Sequence, residues 1–401
     1  MTKIYQTTAR IRKTFVKKVT VLLAGLFVFA FAATAQNVTV TASAGLALRN
    51  YNTLWEAFEG INDGTHQGVI VVTINASTTE GTTPATLNSG NATPASYTSV
   101  TVKPSADGLS VTGNPAQGLG VVQLNGADNV TIDGDNPNTG GTNRNLSFVN
   151  SNANTLQFCS VIRIATSAAV TSANNITIQN CNINGNVTGG NANGFGASNE
   201  NTFGIYAGGN GGATAVGAPT AITTSNTDFA TAATTINALT ITNNAINQCA
   251  RGIAFVGESS VVCDGLTVTN NTIGNSGVAP ATTVYSKGIT VRGANAVTIT
   301  GNTIQNILQW ANNNLFGIEF STAIGGGTLN ISNNTISNVQ NNGTSSDARG
   351  IMINAVGGAY TISGNTISGV ESSATGLTSG IHIGATTAAG TIQKNVIHDV
   401  Y

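Results

Sequence analysis

Charge is what this chain has least of. Of its 401 residues, 15 are Lys or Arg and 16 are Asp or Glu, so 8% are charged, where an ordinary soluble domain carries about a quarter. Aromatics are scarce at 5%, and there are only 7 Pro, 4 Cys and 2 Met. Each shortage excludes something. A net charge of −1 offers no basic field for nucleic acid or an anionic lipid surface. No Ala/Glu/Lys/Leu bias supports a coiled coil. The Cys at 159, 181, 249 and 263 fit no CxxC metal pattern. They are even in number, so an exported chain could pair them as disulfides. Their places within or beside β-rich phrases favour the other reading, small buried apolar residues.

What is present is a hydrophobic share of 40%, 48 Gly, and an excess of Asn and Thr. That is enough Val, Ile, Leu and Ala to bury a core, which excludes charge-driven disorder. Residues 1–35 read as a secretion signal. Lys3, Arg10, Arg12, Lys13, Lys17 and Lys18 form a basic start, Val19 to Ala33 is an uncharged apolar run, and Ala33-Thr34-Ala35 offers a small-x-small cleavage site. The alternative is an uncleaved anchor, but the run falls short of the roughly 20 residues a span requires. Removal takes six bases and no acids, leaving 9 − 16 = −7. The expected location is outside the cell or on its surface, with no membrane span once the signal is gone.

From residue 129 one phrase recurs: NVTIDGDN, NITIQNCNI, ALTITNNAI, GLTVTNNTI, AVTITGNTI, TLNISNNTI, AYTISGNTI and GTIQKNVI. Its central Ile or Val falls at 132, 178, 241, 268, 299, 331, 362 and 392, and the last five steps are 27, 31, 32, 31 and 30 residues. A period of that size means stacked supersecondary units. Between copies lies a second phrase, usually opening on Gly: SVIRI, FGIYA, RGIAF, KGITV, FGIEF, RGIMI and SGIHI. Both alternate apolar and polar residues over too few positions for a helix. Coils of about 30 residues repeated without reversal lay equivalent short strands side by side in parallel sheets. The expected fold is all-β, a three-sheet parallel β-helix.

Isoleucines at 246, 273, 304, 336 and 367 supply the third sheet. In the turn before it, Asn244, Asn271, Asn302, Asn334, Asn365 and Asn395 share one slot. Asn tolerates left-handed angles and its amides bond coil to coil, so an asparagine ladder is expected. It should break at Cys181. These phrases resemble right-handed parallel β-helix proteins of the pectin-lyase-like type. The resemblance, with the general crossover rule, implies the handedness. It covers 99–401. Together with YNTLWEAFEGINDGTHQG it resembles exported surface proteins of the Bacteroidetes kind. Residues 36–98 are expected to form a cap. Thr53 and Glu56 make a capping box, and Leu54, Trp55, Phe58 and Ile61 one apolar helix face. Strands at 68–75 and 99–104 begin the stack, and 76–97 and 208–235 are expected loops. The chain stops at VIHDVY, and continuation of that edge by a longer polypeptide is expected.

Chemistry on this scaffold is sparse. Many proteins of this fold cleave acidic polysaccharides, and a lyase would need a cation or Ca²⁺ and a base gathered on one face. The positions flanking each central Ile hold one acid and no base. Asp133 and Asp135 are the best acidic pair, either as Ca²⁺ ligands or hydrolase carboxylates or as turn chemistry. No cofactor is otherwise called for. The second phrase has a mixed outward row at Arg163, Tyr206, Ala254, Thr290, Glu319, Met352 and His382, with Arg251, Lys287 and Arg349 before the Gly of three phrases. It reads as a glycan groove with Tyr206 as stacking platform, or as a solvated face. His382 and His398 show no triad partners. Rows of Thr suggest water ordering as in ice-binding solenoids, but they degrade to Asn, Ser and Gln. The expected function is a secreted or cell-surface structural or adhesive protein binding a polysaccharide or another surface ligand. The alternative is a polysaccharide lyase or glycoside hydrolase.

Overall fold

The computed structural model describes residues 36–152, 158–166, 172–185, 202–210, 221–222, 235–257, 263–275, 284–309, 314–322, 327–343, 346–354, 357–373, 375–384 and 388–401. The signal at 1–35 lies outside them, as do 211–220 and 223–234 of the expected second loop. Among the described residues no helix is long and apolar enough to cross a membrane.

The Thr-Ile phrases stack into one face of a parallel β-helix. After an antiparallel hairpin, Val38–Gly45 and Leu48–Tyr51, this face runs in parallel from His66–Ile74 and Ser96–Pro104 to Tyr360–Ser363 and Gly390–Gln393. The register keeps like beside like: Ile178 pairs with Ile241, Ile241 with Val268, Val268 with Ile299, and Ile299 with Ile331. Two further ladders close the coil. The third-face ladder begins at Thr78–Gly81 and continues through Thr272–Ile273, Thr303–Gln309 and Thr335–Asn341 to Val396–Val400. The Gly-Ile ladder begins at Ala85–Asn88 and continues through Cys249–Val256, Val284–Arg292 and Leu315–Thr322 to Thr378–Ile383. The three faces enclose one apolar column of stacked Ile, Val and Leu. Each such side chain contributes about 1.5–3 kcal/mol by leaving water.

Two expectations need correction. The stretch 76–97 is not wholly a loop, since its two short strands start two of the three ladders. TTEG misled because Glu80 points inward and is buried. The left-handed residues also stand one position before the ladder. Asn180, Asn243, Asn270, Gly301, Asn333, Gly364 and Lys394 carry the positive φ. The ladder asparagines instead aim their amides into the turn. Asn302 Nδ2 donates to Val268 O at 2.9 Å and to Asn334 Oδ1 at 2.9 Å, while its Oδ1 accepts from Asn271 N and Nδ2, each at 3.0 Å. The same pattern joins Asn244 to Asn271, Asn334 to Asn365, and Asn365 to Asn395. At Cys181 the side-chain relay ends as expected, and the Cys181 backbone N–H donates to Asn244 Oδ1.

Helix α1, Leu54–Asn62, closes the first coil. Glu56 N–H donates to Thr53 Oγ1 at 3.1 Å, but Glu56 Oε2 reaches past Thr53 to accept from Asn52 N at 2.7 Å. Glu80 adds a cap from outside the helix, accepting from Leu54 N at 3.1 Å and Trp55 N at 2.7 Å. A carboxylate there satisfies two orphan donors and faces the positive end of the helix dipole. Glu80→Ala is expected to cost about 1–3 kcal/mol, read as a lower urea midpoint. Glu80→Gln, which keeps one acceptor, should recover part of it.

Candidate functional site

The four thiols are all free and buried, so the disulfide reading is not realised. Burial pushes Cys263 up to about 11 and Cys249 to about 12, and raises Cys181 further, which leaves them protonated and unreactive.

Asp133 and Asp135 are engaged locally. Asp133 Oδ1 accepts from Asp135 N at 3.0 Å and Asn180 Nδ2 at 2.8 Å, and its Oδ2 accepts from Gln179 Nε2 at 2.8 Å. Asp135 Oδ1 accepts from Asn143 N at 2.7 Å. These bonds tie a turn and join one coil to the next. Among the described residues no group of three or more His, Cys, Asp or Glu is placed to hold a metal ion. On the Thr-Ile face the outward residues line up in register, and hydroxyls bond along the axis, Thr269 to Thr242 at 2.9 Å and Thr300 with Ser332 at 3.0 Å.

The Gly-Ile face gathers the remaining candidates. Arg163, Tyr206, Ala254, Thr290, Glu319, Met352 and His382 follow one another rung by rung in a single column. Phe203, Arg251, Lys287, Phe316 and Arg349 form the column beside it. The row is not the open groove or solvated surface its sequence suggests. Arg163 and Tyr206 are fully buried, Arg251 is 2% exposed and Arg349 5%. Over the rungs of Tyr206 and Ala254 a second apolar cluster lies outside the coil: Phe158, Phe203, Tyr206, Ile222, Ala254 and Val256. Ile222 sits back on the coil, its N–H donating to Gly118 O at 3.0 Å. Tyr206 therefore packs edge-on to Phe203 at 4.6 Å instead of offering a stacking platform. Burial lowers the Arg163 guanidinium to about 10, which leaves it charged at neutral pH.

Toward the other end the face carries an ionic group. Lys287 Nζ lies 2.8 Å from Glu319 Oε2 and 5.2 Å from the centre of the Phe316 ring. Arg349 Nη2 lies 2.5 Å from Asp347 Oδ2, and its guanidinium is 6.0 Å from the same ring. The ring's negative face lies between two cations, so Phe316 joins them where direct contact would repel. His382 is half-buried one rung beyond Met352. Phe316, Asp347 and Arg292 escaped the sequence reading. Phe316 occupies the same pre-glycine slot as Arg251, Lys287 and Arg349, so the signal was there; Asp347 pairs from outside the strand phrase.

No family model matches the chain, and no curated protein matches it. Among solved structures it overlaps the A-module of a mannuronan C-5 epimerase from Azotobacter vinelandii, with 11% identity, 81% of this chain and 91% of that one covered, and a TM-score of 0.22. It also overlaps endopolygalacturonase I from Stereum purpureum, with 14% identity, coverage of 83% and 93%, and a TM-score of 0.18. A third overlap, to ORF18 of Geobacillus virus E2, has 11% identity, coverage of 87% and 59%, and a TM-score of 0.20. Superpositions this loose say nothing about activity. The chain is a parallel β-helix on its own strand register.

Proposed function

We propose that this is an exported, surface-displayed β-helix whose work is binding, and that the Gly-Ile face from Lys287 to His382 engages an acidic glycan. The distribution of charge carries this reading. Of the nine basic residues after position 35, Arg163, Arg251, Lys287, Arg292 and Arg349 fall in the Gly-Ile strands of a chain that is otherwise acidic. Among the described residues, Glu319 and Asp347 are the acids paired with them. Arg163 and Arg251 are too deeply placed to touch a ligand, so they contribute field. Lys287, Arg292 and His382, each half-buried, supply contact. Lys287 and Arg292 stand on one strand and His382 three rungs on, about 14 Å along the axis, a span over which a polyanion can meet more than one of them.

Catalysis is the second reading, and the engagement of Asp133 and Asp135 in turn and coil-to-coil bonds argues against it. A glycan array should give binding to uronate- or sulfate-bearing glycans that weakens with salt. Replacing both Lys287→Gln and Arg292→Gln should weaken it on the order of tenfold, a loss of about 1.4 kcal/mol. Binding confined to neutral glycans, or unchanged in the double variant, would overturn the reading. Turnover of polygalacturonate, alginate or glycosaminoglycan that disappears in Asp133→Asn or Asp135→Asn would replace it with an enzyme.

A further inference from the structure

The Thr-Ile face owes nothing to the basic residues of the Gly-Ile strands and has its own surface chemistry. From Thr101 to Thr391 the register sets one outward residue of each rung beside that of the rung before. That residue is Thr on every rung except the one carrying Asn330. Two residues on, a second column runs through Thr242, Thr269 and Thr300 to Ser332 and Ser363. The substitutions that thin the Thr rows in the sequence therefore fall almost wholly in the second column. Asp133 and Gln179 stand toward one end of it and Gln393 at the other.

Three properties separate this face from its neighbours. It is uncharged: the strands from Ile236–Thr242 to Tyr360–Ser363 hold no Asp, Glu, Lys or Arg, whereas the Gly-Ile face carries Lys287, Glu319 and Arg349. It is straight: left-handed residues bend the third face within its strands at Asn306, Asn338 and Gly369, and none falls within 240–242, 267–269, 298–300, 330–332 or 361–363. Its hydroxyls are also held in place without being used up. A β-branched Thr has few rotamers to choose from. Second-column hydroxyls bond one another along the axis, Thr269 to Thr242 at 2.9 Å and Thr300 with Ser332 at 3.0 Å. Among the described residues, none of the first-column Thr hydroxyls bonds another protein group, and the column is partly exposed along its length.

We propose that this face binds ice. Rungs stand about 4.8 Å apart and the two columns about 6.6 Å apart on each rung, a mesh comparable to the repeat of oxygen atoms on faces of hexagonal ice. Each free hydroxyl anchors one water, and the methyl beside it leaves neighbouring waters to bond one another. A charged side chain would orient its own hydration shell against that lattice, so an uncharged face suits this ligand and gives an ion or a polyanion nothing to grip. Because the side chains are already restricted, engaging them costs little entropy. One hydroxyl binds weakly, but the stack repeats it rung after rung against a ligand of matching period.

Ice grown slowly on a cooled probe from a solution of the chain and a fluorescent dextran tests this. The chain should be enriched in the ice relative to the dextran, and recrystallisation of fine-grained ice should slow. Thr267→Lys with Thr298→Lys sets two ammonium groups in the middle of the face and should cut the ice-bound fraction by about tenfold, at an unchanged urea midpoint. Ser337→Lys with Ser368→Lys adds the same charge to the third face, where these two serines are paired, and should leave the ice-bound fraction as it is. Exclusion of the unaltered chain from ice to the same degree as the dextran would overturn the proposal, as would an equal loss in both variants. Retention on crystalline chitin or cellulose that only the Thr-face variant loses, without enrichment in ice, would also overturn it and make the face a polysaccharide surface.

Discussion

Gly317→Ala is expected to destabilise the β-helix by about 3 kcal/mol, at the upper end of overpacking costs. A Cβ at this position would lie 2.6 Å from Gly350 O and 2.6 Å from Ile336 Cγ2. Neither can yield cheaply. Gly350 O belongs to the backbone of the next rung, and Ile336 is held in a column between Ile304 and Ile367. The same crowding recurs at Gly252 against Ile273, Gly288 against Ile304, and Gly350 against Ile367. It marks the corner where the Gly-Ile ladder meets the third face, and only a residue without a side chain lets the isoleucine fill it. Urea unfolding should show a lowered midpoint with an unchanged slope. Gly140→Ala, with open space around the added carbon, is the control and should stay within about 0.5 kcal/mol. A Gly317→Ala protein as stable as that control would mean the corner is loosely packed.

Asn302→Ala is expected to cost about 3–4 kcal/mol, because two buried backbone groups of the preceding coil lose partners together. Asn271 N loses the Oδ1 it donates to, and Val268 O loses the Nδ2 it accepts from. Water cannot repair this, as Asn302 is 1% exposed. Position in the stack should grade the effect. Asn395 makes the same bonds to Asn365 and Ile362 but sits half-exposed, where water substitutes, so Asn395→Ala should cost about 1 kcal/mol. Equal losses at 302 and 395 would show that the ladder is not what holds the turn. Asn302→Asp keeps the acceptor but sets a carboxylate against Val268 O and Asn334 Oδ1. It should be at least as damaging at neutral pH and milder in acid, where the carboxyl can donate.

The architecture was legible because the repeat encodes it twice, in the alternation of each phrase and in the fixed offset between Thr-Ile, Asn and Ile. Where that redundancy was missing, reading failed. Thr78–Gly81 and Ala85–Asn88 carry no isoleucine phrase and read as loop, yet they found two ladders. The hairpin at Val38–Tyr51 escaped because antiparallel closure follows from tertiary pairing, not from period. The Gly-Ile row was found with its residues in the right order, but its burial was not. Alternation tells which side chains leave the coil; it does not tell whether a distant segment such as Ile222 returns to cover them.

From Asn244 onward each turn of the spiral hands the next the same set of fittings: an amide, a bare α-carbon and a branched aliphatic. Nothing in that exchange counts turns, so the number of coils is chemically unconstrained. Excising residues 271–301 would bring Asn302 under Asn244 with its bonding pattern intact, and duplicating them would lengthen the rod by one step. A protein built this way can grow or shrink its reach by whole-coil duplication or loss while every surviving contact keeps its chemistry.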